Sequence, residues 1–400
     1  MKPEPANTGS AAPVTALPVT GMGAVCAAGE SLDEILASFR AGRRASSPQT
    51  LSSALPPLPV FASATPDAPG AEKRTLVLAR RAVSAALQAA RLAPLPEDSR
   101  IGVCMGTTVA CQLNDFDFYS SYRATHAAPM APVDRFLKGA LADSVARELG
   151  ARGPRMTIAN ACSSSADAVG VARSWLLAGL CDVVIAGGAD ELNRVPCCGF
   201  HALGLASLEP VVPFDRRRSG LNLGEGAGAL VIETPEHARR RGARSRVSLF
   251  GYGSACDAHH MTAPHPEGRG LAKAIREALA QSGLGPEGID FVNAHGTGTK
   301  ENDRIEGRLL ARTFGEGVRF LSTKGFTGHT LGAAGALEAV FTAAALLQGW
   351  LPASAGFEEA DPEIGVTPLR EPTPVAGAFA LSTSLAFGGM NAALVFGRTT

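Results

Sequence analysis

The sequence has 400 residues, of which 46% are hydrophobic and 18% are charged, and its formal net charge is zero. A chain of this length can bury a large core without disulfides or structural metal ions. The charge is balanced and shows no basic stripe or arginine-rich arm, which argues against a nucleic-acid surface. We therefore expect a compact α/β, enzyme-like protein with no nucleic-acid partner.

Eight cysteines are spread along the chain without the paired spacing of a zinc site or of a disulfide framework. They are Cys26, Cys104, Cys111, Cys162, Cys181, Cys197, Cys198 and Cys256. The N-terminus lacks the apolar stretch of a signal peptide, and the apolar segment 331–347 contains Glu338 and is short for a bilayer span. We expect a reduced, cytoplasmic protein with no metal site and no membrane partner.

In chain order, residues 1–16 are rich in Pro, Ala and small polar residues, and we expect a flexible tail there. The Pro- and Ser-rich stretch 46–70 predicts a surface loop. Apolar runs then predict strands at 101–106, 182–188, 228–233, 289–294 and 379–384. Thr234 predicts a helix N-cap, and Leu271, Ile275 and Leu279 predict one stripe of a helix that ends near Gly283. This alternation is typical of βα units around buried sheets.

Two echoes within the sequence indicate an internal duplication. The segment "VTGMGAV" near the start resembles "LFGYGSA" at 249–255, and "IGVCMGTT" resembles "DFVNAHGTGT". The spacings between the echoes differ, which places insertions in the first half, between 107 and 150. We expect two similar α/β halves, 17–245 and 246–400, stacked together.

The segment "NACSSSADAVG" at 160–170 carries Cys162 between a strand pattern and a helix pattern. At a helix N-terminus, unpaired N–H groups and the helix dipole favour a thiolate that could attack a thioester carbonyl. A cysteine taken alone is more often a small buried residue, and we interpret the other seven cysteines in that way. The neighbouring residues must therefore decide whether Cys162 is a nucleophile.

Two further segments place histidines where a strand ends beside glycines. "NAHGTGT" at 293–299 carries His295, and "STKGFTGHTLGAAGA" at 322–336 carries Lys324 and His329. Strand ends followed by Gly and Thr are where α/β proteins expose catalytic groups. We expect His295 and His329 to accompany Cys162. Four other histidines are interpreted as structural or surface groups: His126, His201, His237 and His265.

Eight stretches, in this order, resemble β-ketoacyl-(acyl carrier protein) synthases of the elongating, decarboxylating type, which have the thiolase fold. They are "VTGMGAV", "NACSSS", "DVVIAGGAD", "PFDRRRSGLNLGEGAGALVIE", "DAHHMT", "NAHGTGT", "STKGFTGHTLGAAGALEA" and "LAFGGMNAALVF". The resemblance covers nearly the whole chain after the predicted tail. It implies a thiolase-like fold, in which the two duplicated α/β halves form a five-layered αβαβα sandwich.

The resemblance implies an acyltransferase that carries out a decarboxylative Claisen condensation in fatty-acid or polyketide chain elongation. Cys162 would hold the acyl chain as a thioester, while His295 and His329 would promote decarboxylation of malonyl-carrier protein and stabilise the enolate. Lys324 would support His329 and the local hydrogen bonds. The backbone N–H groups of Cys162 and Phe387 would form the oxyanion hole.

The same resemblance implies binding residues and partners. Thr297 and Thr299 would hydrogen-bond the phosphopantetheine arm of acyl carrier protein, and no permanently bound cofactor is expected. The acyl pocket would be lined by Val109, Phe200 and Phe387. A homodimer is expected, or a heterodimer with a homologous ketosynthase-like subunit. Basic residues that could dock the carrier protein, or could equally be ordinary solvated surface, are Lys73, Arg74, Arg80 and Arg81.

Single residues argue against related activities, while the acyl substrate stays open. A thiolase needs a second cysteine near the C-terminus, and none follows Cys256. A chain-initiating ketosynthase usually has Asn at the position of His329, and a non-catalytic chain-length subunit typically lacks the nucleophile. Ala386 and Met390 depart from fatty-acid members, and the serines after Cys162 are closer to polyketide synthases. The alternative is a subunit that works with a chain-length-factor-like partner in specialised polyketide or aryl polyene assembly.

Overall fold

The computed structural model of the protein describes residues 14–67, 73–96, 99–108, 116–131, 133 and 140–399. Residues 1–13 of the predicted tail and the predicted pocket residue Val109 lie outside the described residues. The elements of the first half are β1 (Leu17–Cys26), α1 (Leu32–Arg40), β2 (Ser47–Gln49), β3 (Leu58–Val60), α2 (Arg74–Ala90), β4 (Ile101–Gly106), α3 (Phe116–Thr125), α4 (Leu141–Leu149), β5 (Arg155–Ile158), α5 (Ser164–Leu177), β6 (Val183–Asp190), α6 (Arg194–Ala202), β7 (Gly226–Glu233) and α7 (Pro235–Arg240).

The second half repeats much of this order. Its elements are β8 (Val247–Cys256), α8 (Arg269–Ser282), β9 (Ile289–Asn293), α9 (Lys300–Phe314), β10 (Phe320–Leu321), α10 (Lys324–Thr327), α11 (Ala334–Gln348), β11 (Trp350–Leu351), β12 (Thr373–Pro374), β13 (Phe379–Leu385) and β14 (Met390–Arg398). Short 3-10 turns occupy Ala161–Ser163, Pro286–Gly288, Leu331–Ala333 and Phe387–Gly389.

The main sheet repeats one topology in the two halves of the chain. Its strand order is β10-β9-β13-β14-β8-β1-β7-β6-β4-β5. Read outward from the middle, each half follows the same path, because β1-β7-β6-β4-β5 corresponds to β8-β14-β13-β9-β10, with two antiparallel pairs followed by two parallel pairs. The two sets of strands join where β1 meets β8, at Leu17↔Leu249 and Pro18↔Ser248. The predicted duplication of the α/β fold is therefore present.

Three clusters of buried apolar side chains fill the space between the layers of the fold. Helices α2 and α4 pack on the outer face of the first set of strands, and α8 and α9 pack on the outer face of the second set. Helices α5 and α11 lie between the two sets and contact each other. Burial of these apolar side chains supplies the main favourable free energy of folding. The layer order is the expected αβαβα sandwich.

The central layer contains the segment Leu331–Gln348, which is long and apolar enough to cross a membrane by length and composition alone. In the fold, 89% of this segment is buried, because its turn and α11 pack between the two sets of strands. Glu338 lies on α11 and is paired with Lys324. The apolar segment is thus a core helix of the sandwich.

The elements that the sequence predicted are present in the structure, and one predicted loop is not a loop throughout. The five predicted strands correspond to β4, β6, β7, β9 and β13, and the predicted cap Thr234 accepts a hydrogen bond from the N–H of His237. The stretch 46–70, expected to be a surface loop, contains the β2–β3 ribbon. Leu58 and Val60 of this ribbon are buried. The neighbouring prolines indicated a loop, but tertiary packing covers these two apolar side chains.

Candidate active site

Cys162 lies in a tight turn between β5 and α5. Residues Ala161–Ser163 form a 3-10 turn, and Ala161 has a positive φ of 50°. A residue with a side chain adopts this conformation at a cost in free energy. The turn places Cys162, which is buried, on the wall of a cavity of about 530 Å³. The strand, turn and helix therefore present the thiol where the sequence predicted a nucleophile.

A matching turn in the second half has no side chain at the equivalent position. Leu331–Ala333 is again a 3-10 turn ahead of a long central helix, and Leu331 has a φ of 52°. Gly332 stands where the first half has Cys162, and its N–H donates to Asp190 Oδ2 at 2.7 Å. The two turns pack against each other, and His329 lies just ahead of the second. The duplication thus sets the nucleophile turn against the histidine turn.

His295 follows β9 in a loop that wraps around buried carboxylates of α9. The N–H groups of His295 and Gly296 donate to the two oxygens of Glu306, each at 2.8 Å. The N–H of Thr297 donates to Asp303 at 2.9 Å. Sequence reasoning missed both carboxylates. The available signal was the pair of acidic residues three positions apart in "NDRIEG", one helical turn that could face the preceding Gly-rich loop.

Four buried side chains meet beside the cavity. Cys162 Sγ lies 3.0 Å from His329 Nε2, and the rings of His295 and His329 meet edge to face with centroids 5.2 Å apart. Lys324 Nζ lies 3.1 Å from His295 Nδ1 and 2.6 Å from its carbonyl oxygen, and it also pairs with Glu338. The structure therefore brings together all four residues that the sequence singled out as catalytic.

The partner of Lys324 differs from the expectation that it supports His329. Its hydrogen bonds go to His295 and Glu338, because α10 directs the side chain towards the end of β9 and towards α11. An ammonium group has three N–H donors and no acceptor. His295 Nδ1 must therefore accept, which leaves the proton of the neutral ring on Nε2.

This tautomer bears on the kind of ligand that the site can take. Ligand atoms of Cys162, His295 and His329 lie within 4.8 Å of one another, a spacing that could hold a metal ion. A metal would need the lone pair of an unprotonated ring nitrogen. Since Lys324 leaves the proton on His295 Nε2, the geometry favours hydrogen-bond donation to a substrate oxygen over metal binding.

Burial controls the charge of the three reacting groups. It lowers the pKa of His295 and His329 well below the usual 6.5, and the nearby Lys324 acts in the same direction. Burial also raises the pKa of the Cys162 thiol to about 12, against the opposing effects of Lys324 and of the Phe387 N–H. The expectation that the helix start would favour a thiolate is therefore wrong for the free protein, because desolvation outweighs it. The thiol needs a base, and His329 Nε2 is in place.

Phe387 begins the glycine-rich turn on the other side of the thiol. Gly388 and Gly389 have positive φ values of 82° and 76°, which a residue with a side chain would rarely adopt. The backbone N–H of Phe387 opposes the rise in the pKa of the Cys162 thiol, and the N–H of Gly388 donates to the carbonyl oxygen of Met261 at 2.7 Å. One of the two predicted oxyanion donors therefore belongs to a residue that lines the same cavity as the reacting sulfur.

A cavity of about 530 Å³ opens beside these groups. Phe200 and Phe387 lie on its wall with ring centroids 5.3 Å apart. Thr297 and Thr299 also line this cavity, and their hydroxyl oxygens are 3.0 Å apart. The predicted pocket residues in the described part of the chain therefore share one cavity with Cys162.

The predicted docking residues are engaged within the chain. Each arginine forms an ion pair of at most 2.6 Å, in the pairs Arg74–Glu225, Arg80–Glu148 and Arg81–Glu30. Neither these arginines nor Lys73 line the cavity. The structure therefore favours an ordinary helix surface with internal ion pairs over a free basic docking face.

Several known proteins are similar to this chain in sequence and in fold. Two family models match, "Beta-ketoacyl synthase, N-terminal domain" over residues 16–238 and "Beta-ketoacyl synthase, C-terminal domain" over residues 247–358. Nodulation protein E of Rhizobium sp. (strain N33) is 35% identical over an alignment of 407 positions including gaps, which covers 94% of this chain and 98% of that protein.

A second relative and a solved structure extend the comparison. The mitochondrial 3-oxoacyl-[acyl-carrier-protein] synthase of Arabidopsis thaliana is 38% identical over 279 residues, and this match spans 66% of the chain and 60% of that protein. The structure of "the ishigamide ketosynthase/chain length factor" superposes with a TM-score of 0.88 at 30% identity, covering 97% of this chain and 100% of that one. By both family models and by this full-length likeness, the chain belongs to the beta-ketoacyl synthase family.

Proposed function

We propose that the chain is a β-ketoacyl-(acyl carrier protein) synthase that joins malonyl-carrier protein to an acyl chain held on Cys162. One observation carries the proposal: Cys162 Sγ lies 3.0 Å from His329 Nε2, in a buried site where Lys324 fixes the tautomer of a second histidine. A nucleophile, a base and an oriented N–H donor beside one cavity suit acyl transfer followed by carbon–carbon bond formation.

The first half-reaction transfers the acyl chain from its carrier to the enzyme. Cys162 gives its proton to His329 Nε2 as the sulfur attacks the acyl carbonyl. The N–H groups of Cys162 and Phe387 would stabilise the developing oxyanion. The carrier thiolate then leaves and takes the proton from His329, so that a new thioester on Cys162 replaces the old one.

The second half-reaction forms the carbon–carbon bond. The His295 Nε2–H would donate to the thioester oxygen of malonyl-carrier protein as carbon dioxide leaves and enolate charge develops. The enolate carbon attacks the acyl carbonyl and breaks the bond to Cys162. The negative charge of the lost carboxylate ends on the Cys162 thiolate, which takes a proton from solvent and returns to the thiol.

Acyl carrier protein is the proposed partner, and its phosphopantetheine arm is the substrate carrier. The proposal is supported by the likeness to the 3-oxoacyl-[acyl-carrier-protein] synthase of Arabidopsis and by the positions of Thr297 and Thr299, which line the same cavity as Cys162. No permanently bound cofactor is needed for either half-reaction as written. A cytoplasmic location is proposed because the seven cysteines in the described residues are all free, and cell fractionation with an antibody would test it.

The function is tested with purified carrier-bound substrates. Wild-type protein should form an acyl-enzyme on Cys162, detected by mass spectrometry, and should release carbon dioxide and β-ketoacyl product from malonyl-carrier protein. The Cys162→Ala variant should give no acyl-enzyme and no condensation, whereas Cys181→Ala, which alters a buried cysteine that does not line the cavity, should behave as wild type. Condensation by Cys162→Ala would overturn the proposal.

A second arrangement is a ketosynthase subunit that requires a homologous partner similar to a chain length factor, in polyketide or aryl polyene assembly. The likeness to the ishigamide ketosynthase/chain length factor over nearly the whole chain supports it. In the same assay, this arrangement predicts little turnover by the chain alone and turnover after a homologous subunit is added. Full activity of the pure chain would favour the homodimer.

A further inference from the structure

Asp167 lies one turn into α5 and gathers three hydrogen bonds around the nucleophile. The residue is buried, with 3% of its surface exposed. Its Oδ2 accepts from Ser163 Oγ at 2.8 Å and from Asn160 Nδ2 at 3.1 Å. Its Oδ1 accepts from the Tyr252 hydroxyl at 2.7 Å. Asn160 and Ser163 stand on either side of the Cys162 turn, so one carboxylate ties both ends of the turn together.

The third bond reaches from one half of the molecule to the other. Tyr252 lies on β8 of the second half, whereas Asp167 and Cys162 belong to the first half. The Tyr252 ring lies so close to α5 that a side chain at Gly170 would come within 2.4 Å of it. Burial raises the pKa of the Tyr252 hydroxyl, which therefore keeps the proton that it donates. The nucleophile turn is thus tied to the half that supplies His295 and His329.

The second half gives an internal comparison. Its equivalent turn has the same positive φ at Leu331, but Ala333 and Leu337 stand where the first half has Ser163 and Asp167. That turn is held instead by Asp190, which accepts from Gly332 N–H. Each of these turns is therefore held by one buried carboxylate. Both carboxylates also link the two halves, because Asp190 accepts from Gly332 and Asp167 accepts from Tyr252.

We infer that Asp167 is a positioning residue that holds Cys162 in register with His329 through Asn160, Ser163 and Tyr252. A positive φ at Ala161 persists only where the surroundings determine it. The 3.0 Å contact between Cys162 and His329 joins the two halves, so a small shift of the first turn would lengthen it. The inference deepens the proposed function and rests on it for the half-reactions, but the reactivity of the thiol can be measured without it.

The test compares Asp167→Ala and Asp167→Asn with wild type in three measurements. These are the rate of iodoacetamide alkylation of Cys162, acyl transfer to Cys162, and carbon dioxide release from malonyl-carrier protein supplied without an acyl donor. In Asp167→Ala, alkylation and acyl transfer should fall by about tenfold or more, because small misplacements of a reacting group are costly. Carbon dioxide release should stay within about twofold, because His295 and His329 are untouched. Asp167→Asn should recover part of the loss, since its carbonyl oxygen still accepts hydrogen bonds.

Controls separate positioning from general destabilisation. Glu233→Gln alters a buried carboxylate in another network, with Thr20, His237 and Arg241, and should leave all three rates unchanged. Tyr252→Phe keeps the ring and removes one bond, so it should give a smaller effect of the same direction and add nothing in the Asp167→Ala background. Equal losses in all three rates, or unchanged alkylation and acyl transfer in folded Asp167→Ala or in Tyr252→Phe, would overturn the inference. If wild type transfers no acyl group, the proposed function fails, while the alkylation rates still decide the role of Asp167.

Discussion

At the scale of single residues, the charge of Cys162 is decided by two opposing effects. Its place at a helix start favours the thiolate, whereas burial favours the neutral thiol and raises its pKa to about 12. Burial is the larger effect, because the sulfur loses hydration on nearly all sides while the helix contributes only partial charges. The free enzyme therefore holds a thiol beside a neutral imidazole.

This state predicts a distinctive pH dependence of thiol reactivity. The rate of alkylation of Cys162 by iodoacetamide should rise from neutral pH to at least about pH 10 without a plateau, since below its pKa the thiolate fraction grows about tenfold per pH unit. Mass spectrometry of the Cys162 peptide distinguishes it from the exposed Cys256. A plateau near neutral pH would instead reveal a preformed thiolate–imidazolium pair.

The buried ion pair of Lys324 and Glu338 contributes to the stability of the fold, and Lys324 also fixes the tautomer of His295. Replacing Lys324 by Met leaves Glu338 buried without its partner, and should lower the free energy of unfolding by about 3–5 kcal/mol. Burial already raises the pKa of Glu338 to about 7. When folding raises the pKa of a carboxyl group, the folded protein becomes less stable as pH rises. The destabilisation of Lys324→Met should therefore be larger at about pH 8 than at about pH 6, as measured by chemical denaturation.

A double variant separates the two roles of this pair. Lys324→Met with Glu338→Leu replaces a buried ion pair by apolar side chains and should recover much of the lost stability. Carbon dioxide release should stay low in the double variant, because no donor then fixes His295 Nδ1. Recovery of both stability and decarboxylation would show that Lys324 acts only structurally.

At the scale of elements, close packing of β4 under α5 sets the position of the Cys162 turn. A side chain on Gly106 would come within 2.5 Å of backbone atoms of Ser164 and Ser165, at the start of α5. Backbone atoms cannot move aside as the end of a flexible side chain can. The size of the residue at the end of β4 therefore controls where α5 begins.

The Gly106→Ala variant should consequently lose about 1–3 kcal/mol of unfolding free energy, together with acyl transfer to Cys162. Gly199→Ala is the matched control, since a side chain there meets open space within α6. It should be neutral or more stable by up to about 1 kcal/mol, because alanine favours a helix more than glycine does. Thermal denaturation of both variants makes the comparison, and equal melting temperatures would contradict it.

At the scale of the whole molecule, the end strand β5 offers an edge for a partner chain. Among the residues that the structure describes, it is one of the two terminal strands of the main sheet, and its Met156 is 46% exposed. Helix α3 exposes Tyr119 and Tyr122, and Met130 is exposed in the segment after it. An edge strand with an exposed apolar side chain is a surface that proteins usually cover, which supports the proposed dimer.

The dimer can be tested at this edge. Met156→Glu would place two like charges near a twofold axis, and light scattering after size-exclusion chromatography should show the variant as a monomer. Leu208→Glu, at an exposed leucine outside β5 and α3, should keep the wild-type mass. A wild-type chain that is monomeric alone and dimeric with a homologous subunit would point to the heterodimer, and a dimeric Met156→Glu would place the interface elsewhere.

The sequence alone determined the features that depend on local patterns and on motif order. It placed the main strands, the cap at Thr234, the duplication and the residues Cys162, His295, Lys324 and His329, because each is marked by neighbouring glycines or by an alternation of apolar residues. Tertiary structure decided what depends on distance and solvent. It showed that Lys324 bonds to His295, that Glu306 and Asp167 brace the loops, and that burial keeps the Cys162 thiol neutral. These outcomes join residues far apart in the chain, and desolvation has no signature in a linear sequence.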